Sequence, residues 1–171
     1  MVRILLLAIL VFTSNSVVAR EVYGAWEAGA TEEKGGYYAA PIIVDTDSMQ
    51  IAFYFYESID CGVFVTALMI KDEGEDIEIH EKDKKILLTI DNDFTWGIDS
   101  VAVSKHDNYL WVQITAPKEN ELIPALKKGN KLELKIGKMP VFEYSLKGAY
   151  KALTSAEIRC RVSLGADGML E

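Results

Sequence analysis

Every second side chain is apolar in KLELKI at Lys131–Ile136, where Leu132, Leu134 and Ile136 alternate with Lys131, Glu133 and Lys135. The same period returns in QIAFYFY at Gln50–Tyr56, with Ile51, Phe53 and Phe55 on one face and Ala52, Tyr54 and Tyr56 on the other. It returns again in NYLWVQIT at 108–115, with Leu110, Val112 and Ile114 against Tyr109, Trp111 and Gln113. A period of two belongs to a strand with one dry and one wet face. A chain that repeats it must therefore bury several strands against a common core. Further strands are predicted at 62–70, from the β-branched run GVFVTALMI, and at 86–90, 98–103 and 140–146. Turn residues fall between them: 45–48, 91–93, 106–108 and Gly129-Asn130.

Two segments read as helices. Residues 120–128 carry an Asn cap, an early acid, late lysines and Gly129 as a stop, with Pro124 making the helix short or kinked. Residues 145–158 place Leu146, Ala149, Tyr150, Leu153 and Ile158 at helical spacing, ending at Cys160. Nothing repeats and no linker divides the chain. The expected fold is mainly β: a single antiparallel β-sandwich or barrel-like domain with a short helix and a C-terminal helix.

The start of the chain reads as an export signal. Arg3 gives a positive n-region, residues 4–12 are an apolar run, and Val17-Val18-Ala19 offers small residues for cleavage. The run is too short to span a bilayer, which needs about 20 apolar residues. No later stretch is long enough either, so no transmembrane segment is expected once the signal is removed. The organisation is then a signal peptide at 1–19 and one mainly-β domain at 20–171. No Asn-x-Ser/Thr sequon follows the signal and no cysteine sits at the cleavage site. The expected destination is a bacterial periplasm, with secretion as the alternative.

Cys61 and Cys160 are the two cysteines of the chain. In an oxidising compartment they are most simply one disulfide. Neither a Cys-x-x-Cys spacing nor a thiolate-stabilising context marks them as reactive.

Catalytic and cofactor signatures are missing. The two histidines, His80 and His106, sit in a charged strand and a turn, without a Gly-x-Ser-x-Gly elbow or a His-Glu-x-x-His spacing. No phosphate-cradling glycine motif occurs. Asp91-Asn92-Asp93 begins like a calcium loop, but Trp96 stands at its glycine position and Ala102 at its bidentate acid, so it reads as a turn. Acids are too abundant for any catalytic pair to stand out. No catalytic residue, metal ligand or cofactor is assigned, and the protein is not expected to be an enzyme.

Binding is the better expectation. A formal charge of −8 argues against nucleic acid. Residues 71–85 hold seven acids and four lysines, either a solvated hairpin or an acidic docking surface. Tyr54, Tyr56, Tyr109 and Trp111 are candidates for one outward face of adjacent strands, where exposed aromatics would anchor a partner. The alternative is that both faces of these strands are buried.

The segment from Glu121 to Cys160 carries a resemblance. Leu126-Lys127-Lys128-Gly129, the strand at Lys131–Ile136, and the strand running into Ser145-Leu146-Lys147-Gly148 and a small-residue helix resemble the C-terminal half of the invasion-associated locus B family of exported proteobacterial proteins. The N-terminal half departs from that family's pattern: Trp26 is followed by Cys61 alone. The resemblance implies an exported β-domain with a C-terminal helix and supplies no catalytic residues. The expected function is an exported periplasmic binding or accessory protein, acting without catalysis on another protein of the envelope or outside the cell. The alternative is an inhibitor of a basic cell-wall hydrolase of the lysozyme type, with the acidic 72–83 loop entering its cleft.

Overall fold

Alternation becomes burial in the computed structural model. It describes residues 20–32, 34–43, 49–70, 86–98, 102–106, 109–115, 119–137 and 140–167, and at positions 64, 66–70, 98, 102–106, 109–115, 119–120 and 166–167 it describes the backbone alone. Seven strands form the larger sheet, in the spatial order β1 (Glu21–Tyr23), β2 (Trp26–Ala30), β3 (Gly36–Pro41), β4 (Gln50–Tyr56), β5 (Gly62–Ile70), β9 (Tyr109–Thr115) and β8 (Ala102–His106). Four form the smaller one, in the order β11 (Phe142–Ser145), β10 (Lys131–Ile136), β6 (Ile86–Ile90) and β7 (Phe94–Ile98). Every pairing is antiparallel. The helical elements of the described residues are a single 3-10 turn at Glu57–Ile59 and two α-helices, α1 (Glu119–Lys128) and α2 (Ala149–Asp167). The fold is mainly β, as the alternation predicts.

One core joins the layers. The larger sheet contributes Trp26, Ala28, Ala39, Ile51, Phe53, Phe55, Val63 and Val65, and the smaller one Ile86, Leu88, Ile90, Leu132, Leu134 and Ile136. Trp26 stacks on Phe53, with ring centroids 5.8 Å apart. Two buried side chains bridge the sheets by hydrogen bonds to backbone. The Trp26 indole N–H donates to the carbonyl of Ser145 at 2.7 Å, and the Tyr144 hydroxyl donates to the carbonyl of Met49 at 2.8 Å. A buried indole or phenol needs such a partner, because an unmade bond costs its full desolvation.

The C-terminal helix departs from its expected phase. Ser145 ends β11 and α2 begins only at Ala149. Its buried positions are Ala149, Ala152, Leu153, Ala156 and Cys160, the i, i+3, i+4, i+7 spacing of one face. Tyr150 and Ile158, expected inward, are exposed, at 60% and 55%. The alanines have the short side chains that let α2 sit close against β1–β4, and a larger residue would hold it off. The helix also continues to Asp167 instead of ending at Cys160. The disulfide Cys61–Cys160 therefore grips it in mid-course, with 5.8 Å between Cα atoms.

Further corrections concern strand placement. No strand was expected before Gln50, yet β1, β2 and β3 lie there. A single strand was expected at 98–103. Instead Asp91-Asn92-Asp93 turns the chain directly into β7 at Phe94, and β8 starts at Ala102. Asp91 and Asn92 both adopt positive φ (50° and 63°), which Asp and Asn tolerate better than most residues. The Asp91 carboxylate then accepts the backbone N–H groups of Asn130 (2.9 Å) and Lys131 (2.8 Å), tying this turn to the entry of β10. His106 closes β8, paired with Tyr109. The signal segment, the turn at 45–48, His80 and the acidic stretch 71–85 lie outside the described residues.

Candidate binding face

Register decides which residues share the outer face of the larger sheet. Opposite residues on neighbouring strands point to the same side. Gly29, Tyr38 and Tyr54 form one row across β2, β3 and β4. Gly36, Tyr56 and Gly62 form the row beside it. These positions alternate with the buried Ala39, Phe53, Phe55, Val63 and Val65, so the rows lie on the side away from the core.

The tyrosines form a connected ladder. Tyr54 and Tyr56 stack with ring centroids 6.2 Å apart and planes 17° from parallel, and Tyr38 meets Tyr54 across the strands at 6.4 Å. Glycines make the room: a Cβ on Gly29 would stand 2.9 Å from the Tyr38 ring, and one on Gly36 2.9 Å from the Tyr56 ring. All three tyrosines are half-buried, and none belongs to the core cluster. Burial raises the Tyr54 hydroxyl above its ordinary value, aided by the neighbouring Tyr56 and Tyr38. Burial also raises Tyr38, helped by the negative charge of Glu27. The ladder is accordingly an uncharged, hydroxyl-bearing surface at neutral pH.

Of the four expected aromatics, Tyr54 and Tyr56 are described with their side chains. Tyr54 and Tyr56 are brought together. Trp111 and Tyr109 pair with Leu68 and Ile70 of β5, four and six residues along that strand from the Tyr54 row. β5 separates β9 from β4, and strand spacings put the backbone of Trp111 about 16 Å from that of Tyr54. The side chains of Tyr109 and Trp111 are outside the described set.

The sequence reading missed what lies beside Tyr38 and Tyr54. A groove of about 300 Å³ crosses the outer face there, its floor at Ala40 and Ala52 and one wall at Tyr38 and Tyr54. Ile42 and Gln50 stand on the far side. At one end Glu27 pairs with Arg20 and accepts the Tyr38 hydroxyl at 3.3 Å. The tyrosine signal was legible, but the pairing that brings Glu27 and Ala40 to it needs β2 and β3.

A second cleft, of about 420 Å³, lies beside the disulfide, between the β4–β5 corner, α1 and α2. Three of its charged side chains pair with one another. Glu157 accepts Lys127 at 2.9 Å and Arg161 at 3.3 Å, and these cations hold its carboxyl below the ordinary range against the opposing effect of burial. Both cysteines are in the disulfide, so the cleft offers no thiol.

Among the described residues no group of three or more His, Cys, Asp or Glu side chains is placed to hold a metal ion. No helix among them is long and apolar enough to cross a membrane. Comparison with known proteins finds no family model, no curated protein and no solved structure that matches this chain.

Proposed function

We propose that this chain is an exported binding protein that acts without catalysis, using the outer face of its larger sheet to hold another protein of the bacterial envelope or outside the cell. The observation that carries the reading is the tyrosine ladder Tyr38–Tyr54–Tyr56, half-exposed on the sheet face opposite the core. Tyrosine presents a large rigid surface with a polar tip at low entropic cost, which suits a contact face more than a solvated one. The disulfide Cys61–Cys160 supports a home in an oxidising compartment. The signal pattern of residues 1–19 and the likeness of the segment from Glu121 to Cys160 to the invasion-associated locus B family point to the periplasm.

The test is retention of envelope proteins on the immobilised protein at about 150 mM salt, where exposed charges are screened beyond roughly 8 Å. A partner held by the wild type and lost by the Tyr54→Ala/Tyr56→Ala pair supports the reading. A partner held equally by both proteins overturns the assignment of the face. Capture of lysozyme with loss of its activity replaces the reading with inhibition of a basic cell-wall hydrolase. Lysozyme held only at low salt, with activity intact, is net-charge attraction and removes the inhibitor alternative.

A further inference from the structure

Among the described residues seven large apolar side chains stand exposed, and four of them, Tyr150, Ile158, Val162 and Leu164, are on α2. Single exposed apolar residues are ordinary, but this many on one helix mark a surface. The inner face of α2 belongs to the core, and the tyrosine ladder faces away from that core. The two surfaces therefore lie on opposite sides of the larger sheet. The charge of α2 is also opposite to that of the chain. Residues 147–166 hold four cations, Lys147, Lys151, Arg159 and Arg161, and one acid, Glu157, within a chain of formal charge −8. Glu157 is paired with Lys127 and Arg161, and Arg159 with Glu21 of β1. Lys151 and Arg161 are exposed beside the apolar four.

We propose that the outer side of α2 rests on an anionic phospholipid bilayer, with Tyr150, Ile158 and Val162 entering the headgroup layer and Lys151 and Arg161 meeting its phosphates. The inference is independent of the tyrosine face, and this orientation leaves that face free. The placing of the cations carries it. At about 3.6 residues per turn, Arg161 falls between Tyr150 and Ile158 around the helix, and Lys151 between Ile158 and Val162. A protein groove would have to bury those cations among the apolar side chains, whereas the centre of a protein contact is depleted of lysine. In a headgroup layer the short apolar side chains go inward and the long cationic ones reach back to the phosphates. A second copy of this chain is disfavoured too, since its own α2 would bring the same cations against these. The rest of the molecule carries the negative excess and is repelled by an anionic surface, so approach through α2 is the favoured one. Four apolar side chains and two cations make a reversible contact and not an anchor.

The test is flotation of the full exported chain, from Arg20 onward, with vesicles at about 150 mM salt, where exposed charges are screened beyond roughly 8 Å. One set of vesicles mixes phosphatidylglycerol with phosphatidylethanolamine, and the other is phosphatidylcholine alone. The expected result is binding to the first set and binding about tenfold weaker or less to the second. Ile158→Ser/Val162→Ser and, separately, Lys151→Gln/Arg161→Gln should each weaken flotation about tenfold. All four side chains are exposed, so near-ultraviolet circular dichroism should be unchanged in both variants. Tyr54→Ala/Tyr56→Ala should float as wild type does. No flotation, equal flotation on the two lipids, or flotation untouched by both α2 variants overturns the proposal. So does an envelope protein held by wild type and lost by Ile158→Ser/Val162→Ser while vesicles are ignored, which makes α2 a protein contact. Flotation lost in the tyrosine pair and kept in the α2 variants moves the lipid contact to the tyrosine face and overturns both readings. Flotation as expected with no protein partner captured leaves this proposal standing and removes the proposed function.

Discussion

Gly148 lies against the carbonyl of Tyr23, so closely that a Cβ on the glycine would overlap the oxygen. Its φ of 100° is a conformation that L side chains rarely adopt. The contact explains a motif the sequence shows without its cause. In Ser145-Leu146-Lys147-Gly148, the Ser145 carbonyl accepts the Trp26 indole, Leu146 is buried, and the Lys147 carbonyl accepts the Ala25 N–H at 3.0 Å. Ser145, Lys147 and Gly148 lock the start of α2 onto the β1–β2 turn, while the Leu146 N–H donates to the carbonyl of Asn130 at 2.8 Å.

Gly148→Ala should therefore destabilise the protein by about 2–5 kcal/mol, combining backbone strain with overpacking. Denaturant unfolding followed by circular dichroism measures it. A loss under about 1 kcal/mol would mean that the turn and the helix move apart without cost.

Removing the disulfide should cost about 3–5 kcal/mol. Cys61 and Cys160 close a loop with a sequence separation of 99, and the loss is that of loop-closure entropy restored to the unfolded chain. Cys160→Ala paired with Cys61→Ala should lower the thermal midpoint by about 10 °C or more. Because α2 is gripped in mid-course, the loss should appear in helix and sheet signals together and not as fraying of the helix end.

The legible parts of the fold are those where large apolar residues mark one face. In β4, β6, β10 and α1 they do, and sequence and structure agree to within a residue or two. β2 and β3 were hidden because WEAGA and GYYAAP place small residues or aromatics on both faces, so no period of two stands out. The phase of α2 was misread for the same reason: its buried face is mostly alanine, and its largest side chains point to water. Half of the candidate site followed. Tyr54 and Tyr56 stand two apart on a visible strand, whereas Glu27, Tyr38 and Ala40 reach them only through sheet pairing.

Tyr144→Phe should destabilise by about 1–2 kcal/mol at neutral pH, since the Met49 carbonyl loses its bond to the Tyr144 hydroxyl across the sheets. Burial holds the Tyr144 hydroxyl well above its ordinary value. The folded state thus favours the protonated phenol, and its stability is complete below about pH 10, the unfolded value, and falls as pH rises beyond it. Midpoints of wild type and Tyr144→Phe should therefore converge between about pH 10 and pH 12. Parallel curves across that range would show that another group carries the alkaline loss.

Asp91 gives the opposite sign at the acid end. Backbone N–H groups of Asn130 and Lys131 hold its carboxyl below the ordinary range, with Lys131 adding its charge. A depressed carboxyl contributes stability at neutral pH, and that contribution is lost as pH falls from about 4 through the folded value. Asp91→Asn keeps the side-chain shape and the tolerance for positive φ while removing the charge. The variant should unfold at a lower temperature than wild type at pH 7, and the gap should narrow as pH falls below about 4, as the wild-type carboxylate takes up its proton. A gap that persists unchanged into acid would mean that Asp91 works through shape alone and that its charge adds nothing to the join between the β6–β7 turn and β10.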